Sequence, residues 1–87
     1  MVSFDYLIHD EMGLHARPVG LVVKAVKPYQ GARITIRHGE KEADAKRMFA
    51  VMALQVKQGE TISVTVEGEN EQEIADTILG IFQAEKL

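Results

Sequence analysis

The chain has 87 residues, 46% hydrophobic and 26% charged, with no cysteine and a formal net charge of −3. That length holds one small domain and leaves no room for a second core, and the composition is that of a soluble globular protein rather than a disordered one. Disulfides and thiolate metal sites are excluded, an acidic balance argues against general nucleic-acid binding, and no apolar run reaches the length of a membrane span. The opening residues Met1-Val2-Ser3-Phe4-Asp5 lack the basic and apolar regions of a secretory leader, so a cytoplasmic location is expected. Val2, Phe4, Tyr6 and Ile8 alternate with Ser3, Asp5 and Leu7, which predicts a half-buried strand. Val19, Val22, Val23 and Val26 then recur at the spacing of an apolar helix face, and Pro28 disfavours helical geometry at Lys27 and stops the run.

Pro28-Tyr29-Gln30-Gly31 reads as loop. Ile34 and Ile36 alternate with Arg33, Thr35 and Arg37 as a second strand, and His38-Gly39 suits a hairpin turn. The return from Lys41 to Asp44 predicts a short, charged edge strand. A second helix is expected from about Lys46 to Leu54. After the break at Gly59, Ile62, Val64 and Val66 alternate with Ser63, Thr65 and Glu67 as a fourth strand. Asn70 with Glu73 three residues on approaches a capping box, and Ile74, Ile78, Ile81 and Phe82 form one apolar stripe of a third helix. Strand, helix, two strands, helix, strand, helix (βαββαβα) predicts a two-layer α/β (α+β) open-faced sandwich built on an antiparallel sheet.

Chemistry concentrates at Gly13-Leu14-His15-Ala16-Arg17-Pro18. Pro18, with fixed φ and no N–H, is tolerated only in a first helical turn. His15 therefore stands where backbone N–H groups are unpaired and the positive end of the helix dipole points outward, a place that suits an anion. That end disfavours imidazolium, so His15 is expected to be neutral and nucleophilic. A phosphoryl group on its ring, carrying roughly −1.5 to −2 charge, would meet the unpaired N–H groups and the donor-rich guanidinium of Arg17. His9 and His38 show no spacing that suggests a metal site and are expected to be exposed loop residues.

Gly-Leu-His-Ala-Arg-Pro resembles the phosphorylation site of HPr, the histidine-containing phosphocarrier of the bacterial sugar phosphotransferase system, and the likeness runs essentially from Val2 to the C-terminus. The resemblance implies a single phosphocarrier domain over residues 1–87, a sheet in the order 1-4-2-3, and three helices covering one face. It implies that His15 is the phosphoacceptor, stabilised by Arg17 and supported at the helix start by Gly13, Ala16 and Pro18. Phosphate would come from enzyme I, charged by phosphoenolpyruvate, and pass to the A domain of a sugar-specific enzyme II. The chain would then be a monomeric carrier rather than a free-standing catalyst, needing no cofactor or metal and inserting in no membrane.

Arg17, Gly20, Lys24 and Lys27 line one side of the first helix opposite the valines. Gly20 costs roughly 0.5–1 kcal/mol against alanine in a helix interior, which suggests close approach by a partner backbone. Met48, Phe49, Val51, Met52 and Leu54 spread around the short second helix, which cannot bury them all. The resemblance assigns docking of enzyme I and enzyme II to these two helices, here an apolar patch of Met48, Phe49 and Met52 ringed by Arg17, Lys24, Lys27 and Arg47. Three positions depart from the family pattern: Met12 replaces a small polar residue, Arg47 takes the place of a regulatory serine, and Gln55 replaces a frequent glycine. A paralogue serving a nitrogen-related or dihydroxyacetone phosphotransferase chain, or a regulatory binding module, is the alternative.

Overall fold

The computed structural model describes residues 1–87. The elements run β1 (Val2–Leu7), α1 (Ala16–Val26), β2 (Ala32–His38), β3 (Lys41–Asp44), α2 (Met48–Met52), β4 (Thr61–Gly68) and α3 (Glu71–Ala84). The strands form one antiparallel sheet in the order β1-β4-β2-β3. This is the expected architecture. Period-two alternation places Ile34, Ile36, Ile62, Val64 and Val66 on the buried face, with Phe4 and Tyr6 at its β1 edge. The opposite face is open and polar, and the Ser63 hydroxyl donates to Asp5 Oδ1 across strands at 2.7 Å.

Helical periodicity supplies the other half of the core. Val19, Val22 and Val26 of α1 and Ile74, Ala75, Ile78 and Phe82 of α3 are buried together against the sheet. Phe82 meets Tyr6 and Phe4 at ring-centroid distances of 5.0 and 6.3 Å, within the range where aromatic pairs attract. No polar or charged residue is fully buried. No helix is long and apolar enough to cross a membrane.

Three local expectations need correction. The second helix is only Met48–Met52, shorter than Lys46–Leu54. Asp44 accounts for its late start: its side chain accepts the Lys46 N–H and its carbonyl the Arg47 N–H, making a turn that competes with helix. Lys46 is then drawn away, its Nζ donating to the carbonyls of Tyr29 and Ala32 at 2.7 and 2.8 Å. At the other end, Gln55 adopts φ 51 and stops the helix.

Asn70 does not make the capping box. It sits at φ 56 with no side-chain cap bond, whereas a capping side chain needs extended backbone. Glu71 instead reaches back to accept the Gly68 N–H at 2.8 Å, and Glu73 accepts the Tyr29 hydroxyl at 3.2 Å. His38 belongs to β2, paired with Lys41, so the turn is Gly39-Glu40. It is half-buried rather than loose, with Nδ1 3.1 Å from the Leu54 carbonyl and Nε2 3.3 Å from Glu60 Oε1.

Candidate phosphoryl site at the start of helix α1

His15 is the N-cap of α1, extended at φ −104, with no side-chain capping bond. Its carbonyl accepts the Val19 N–H at 3.2 Å, which begins the helical ladder. Ala16 and Arg17 follow with N–H groups that find no partner, and Pro18 has none to offer. The helix therefore presents two free donors beside the ring. Pro18 is buried and holds the first turn against the core, while Ala16 is exposed.

Gly13 brings the chain to this point. It has φ 67, and a Cβ there would lie 2.3 Å from the Val56 carbonyl oxygen. Leu14, buried, donates its N–H to that same oxygen at 3.0 Å. The segment before α2's successor strand is thus the floor on which the motif rests, and only glycine allows the approach.

The ring has a partner that the motif did not reveal. Asp10 Oδ2 lies 3.0 Å from His15 Nε2, with the two side chains 23% and 21% exposed. Asp10 Oδ1 accepts the Met12 N–H at 2.9 Å, and the Asp10 carbonyl accepts the Gly13 N–H at 2.9 Å. The Met12 bond first, and the His15 bond second, hold the Asp10 carboxyl below the usual carboxylate value. The helix end is therefore not the only charge facing His15: a carboxylate stands opposite it. In the neutral ring, Nε2 donates to Asp10 and Nδ1 keeps the lone pair. No spacing rule marks Asp10 beforehand; a loop five residues upstream had to fold back.

Arg17 is placed differently from expectation. It is exposed and its Nε donates to Glu85 Oε1 at 2.8 Å. No hydrogen bond joins it to His15, so the expected anion clamp stands open. Lys24, Lys27 and Arg47 are exposed without ion pairs, and Gly20 is half-buried with nothing within 4 Å of where its Cβ would lie. Phe49 is 88% exposed, whereas Val51 and Leu54 enter the core and Met48 and Met52 are half-buried against it. Met12 is exposed and serves through its backbone.

The family model described as "PTS HPr component phosphorylation site" matches residues 2–84. The chain belongs to the HPr family. It is 35% identical to the phosphocarrier protein HPr of Lysinibacillus sphaericus, over 90% of this chain and 88% of that one. It is also 37% identical to the phosphoryl donor subunit DhaM of the PEP-dependent dihydroxyacetone kinase of Providencia stuartii, over 82% of this chain but 15% of that protein. The solved histidine-containing phosphocarrier protein of a Mycoplasma shares 30% identity and superposes with a TM-score of 0.88, covering 93% of this chain and 91% of the other. The HPr fold thus accounts for the sheet order and helix placement, and phosphocarriers of the phosphotransferase system are its relatives.

Proposed function

We propose that this chain carries a phosphoryl group on His15, received from phospho-enzyme I and passed to the A domain of a sugar-specific enzyme II. The observation that carries the reading is the Asp10–His15 bond at an open helix N-terminus. With Nε2 engaged by Asp10, Nδ1 is the nucleophile. Its lone pair attacks phosphorus, the N–P bond forms, and the bond from phosphorus to the donor's group breaks with its electrons leaving on the donor. The Nε2 proton stays on the ring, so the phosphorylated imidazole is cationic and a good leaving group. Asp10 favours that cation, which promotes onward transfer.

The arriving charge has two sources of support. The free N–H groups of Ala16 and Arg17 lie at the positive helix end, worth about 0.3–1 kcal/mol when exposed. Arg17 supplies the other by leaving Glu85 for the phosphoryl oxygens. An exposed ion pair is worth about 0–1 kcal/mol, and Arg17 is 77% exposed, so the exchange costs little. Phe49, with Met48 and Met52, supplies the apolar centre of the docking surface, and Gly20, Lys24, Lys27 and Arg47 its remaining contacts. Arg47 has no hydroxyl, so the serine-based switch of the family has no acceptor at that position.

The likeness to the Providencia stuartii DhaM subunit favours a second reading, a carrier for dihydroxyacetone phosphorylation through the same histidine. Incubation with phosphoenolpyruvate and enzyme I, followed by mass spectrometry, tests the shared step. An acid-labile, alkali-stable adduct is expected on the wild type and absent from His15→Ala. Full labelling of His15→Ala would overturn both readings. Offering the phosphorylated protein to an enzyme II A domain and to dihydroxyacetone kinase components separates them.

A further inference from the structure

The turn that ends α3 reaches the phosphoryl site. Leu87 donates its N–H to the Phe82 carbonyl at 2.9 Å, and Lys86 donates to the Gln83 carbonyl at 3.1 Å. With Lys86 at φ 55, this is the Schellman arrangement, in which the left-handed position usually falls to glycine. The chain reverses there, and the Leu87 side chain is fully buried in the core. Its carbonyl turns back towards the loop between β1 and α1 and accepts the N–H groups of both His9 and Asp10, the latter at 3.0 Å.

Asp10 is held by three bonds besides the one to His15. Those to Met12 and Gly13 lie within its own loop and move with it. The bond to Leu87 is the one that ties Asp10 to a packed helix. A lysine in a left-handed conformation costs about 1–2 kcal/mol, and the buried leucine that follows keeps the turn in place.

We propose that Leu87 is a positioning residue for the phosphoryl chemistry: its buried side chain and its carbonyl fix Asp10, and through Asp10 the tautomer and orientation of the His15 ring. The proposal rests on His15 being the phosphoryl acceptor, but its first readout does not. The wild-type His15 Nε2 proton, bonded to Asp10, gives an observable signal in nitrogen–proton NMR spectra at low temperature. Leu87→Ala withdraws the anchor without touching any group near the ring. It loses that signal, and kcat for phosphoryl transfer from enzyme I falls about fivefold, the rate equivalent of one ordinary hydrogen bond, with KM unchanged. Asp10→Asn causes a similar fall, and combining the two variants adds nothing further. Lys86→Gly, which keeps the turn, retains both signal and rate.

A wild-type Nε2 signal in Leu87→Ala, or losses that add in full with Asp10→Asn, overturns the proposal. Should Leu87→Ala fail to fold, amide exchange of the wild type decides: Asp10 and Leu87 amides opening together support the tie, and a freely exchanging Asp10 beside a protected Leu87 refutes it. Absence of phosphate on wild-type His15 would defeat the carrier reading while leaving the NMR arm intact.

Discussion

Alanine at Gly13 and alanine at Gly20 should have opposite effects, and the structure sets both magnitudes. Gly13 has φ 67 and its added Cβ would meet the Val56 carbonyl oxygen at 2.3 Å and the Lys57 Cα at 3.0 Å. A side chain in the left-handed region costs about 1–2 kcal/mol. Relieving the contact moves Leu14 away from Val56, whose 3.0 Å bond contributes about 0.5–1.5 kcal/mol. Reduced freedom of the unfolded chain returns about 0.4–1 kcal/mol. The net loss is therefore about 0.5–3 kcal/mol, a fall in Tm of about 2–24 °C for a domain of this size. Gly20 lies inside α1 with open space around its Cβ position, so Gly20→Ala gains about 0.5–1 kcal/mol of helix propensity. Calorimetric melting of both variants against wild type is the assay. A Gly13→Ala protein melting within a degree of wild type would refute the claim that backbone contact with Val56 holds the motif. Gly20→Ala also tests docking, since a more stable protein with a raised KM for enzyme I identifies close approach by a partner.

Removing the Arg17 partner with Glu85→Gln should raise kcat for phosphoryl transfer, with stability unchanged to within about 1 kcal/mol because the pair is exposed, whereas Arg17→Ala should lower kcat at saturating enzyme I; a slower Glu85→Gln protein would show that the pair is needed intact. Phe49→Glu should raise KM for enzyme I strongly while shifting stability by no more than about 0.5 kcal/mol, as expected of a surface position; unchanged concentration dependence would remove α2 from the docking surface. Acid should destabilise the fold through Asp10 and Glu60, both held below their ordinary values, Glu60 chiefly by the Lys57 N–H and then by burial-opposed attraction to His38. Because their folded values are depressed, the stability they contribute is complete above the ordinary values of 3.8 and 4.5 and is lost as pH falls through the folded ones. Denaturant titrations at descending pH, repeated with Asp10→Asn, should show a shallower acid loss in the variant.

Periodicity carried most of the fold. The β2 and β4 alternations and the valine stripe of α1 each face one core, so local pattern and global packing agree. The boundaries it missed were set by side chains competing with the backbone: Asp44 delaying α2, and Asn70 adopting a left-handed turn where a cap was expected. At the candidate site, the placement of His15, Gly13 and Pro18 at a helix start was legible because helix-start chemistry restricts residue type locally. Asp10 and Glu85 were not. Each reaches the motif through tertiary structure, Glu85 across 68 positions of sequence, and an acidic residue in a loop or a last helical turn carries no signal of its partner. His38 was misread for the same reason, since the Leu54 carbonyl and Glu60 reach it from distant segments.

The contacts around His15 share one property: none is buried deeply enough to be strong. Asp10 and His15 are each about a fifth exposed, Arg17 is largely in solvent, and the helix end offers two bare N–H groups rather than a closed nest. A site meant to retain an anion would desolvate it, because the same charges act far more strongly at low dielectric. Here water screens each interaction, so a phosphoryl group carried on His15 as proposed would gain roughly a kcal/mol from the helix end and no more than that from exchanging Glu85 for itself at Arg17. Against that, the Asp10 carboxylate would face the cationic ring of the proposed phosphohistidine, whose N–P bond is the weaker for that charge. Stabilisation small enough to reverse, set beside a carboxylate that promotes departure, suits a group that must arrive and leave in turn. The tight contacts of the molecule lie behind the ring, at Gly13 on Val56 and Leu87 under the Asp10 loop, where they fix geometry without adding affinity for the cargo.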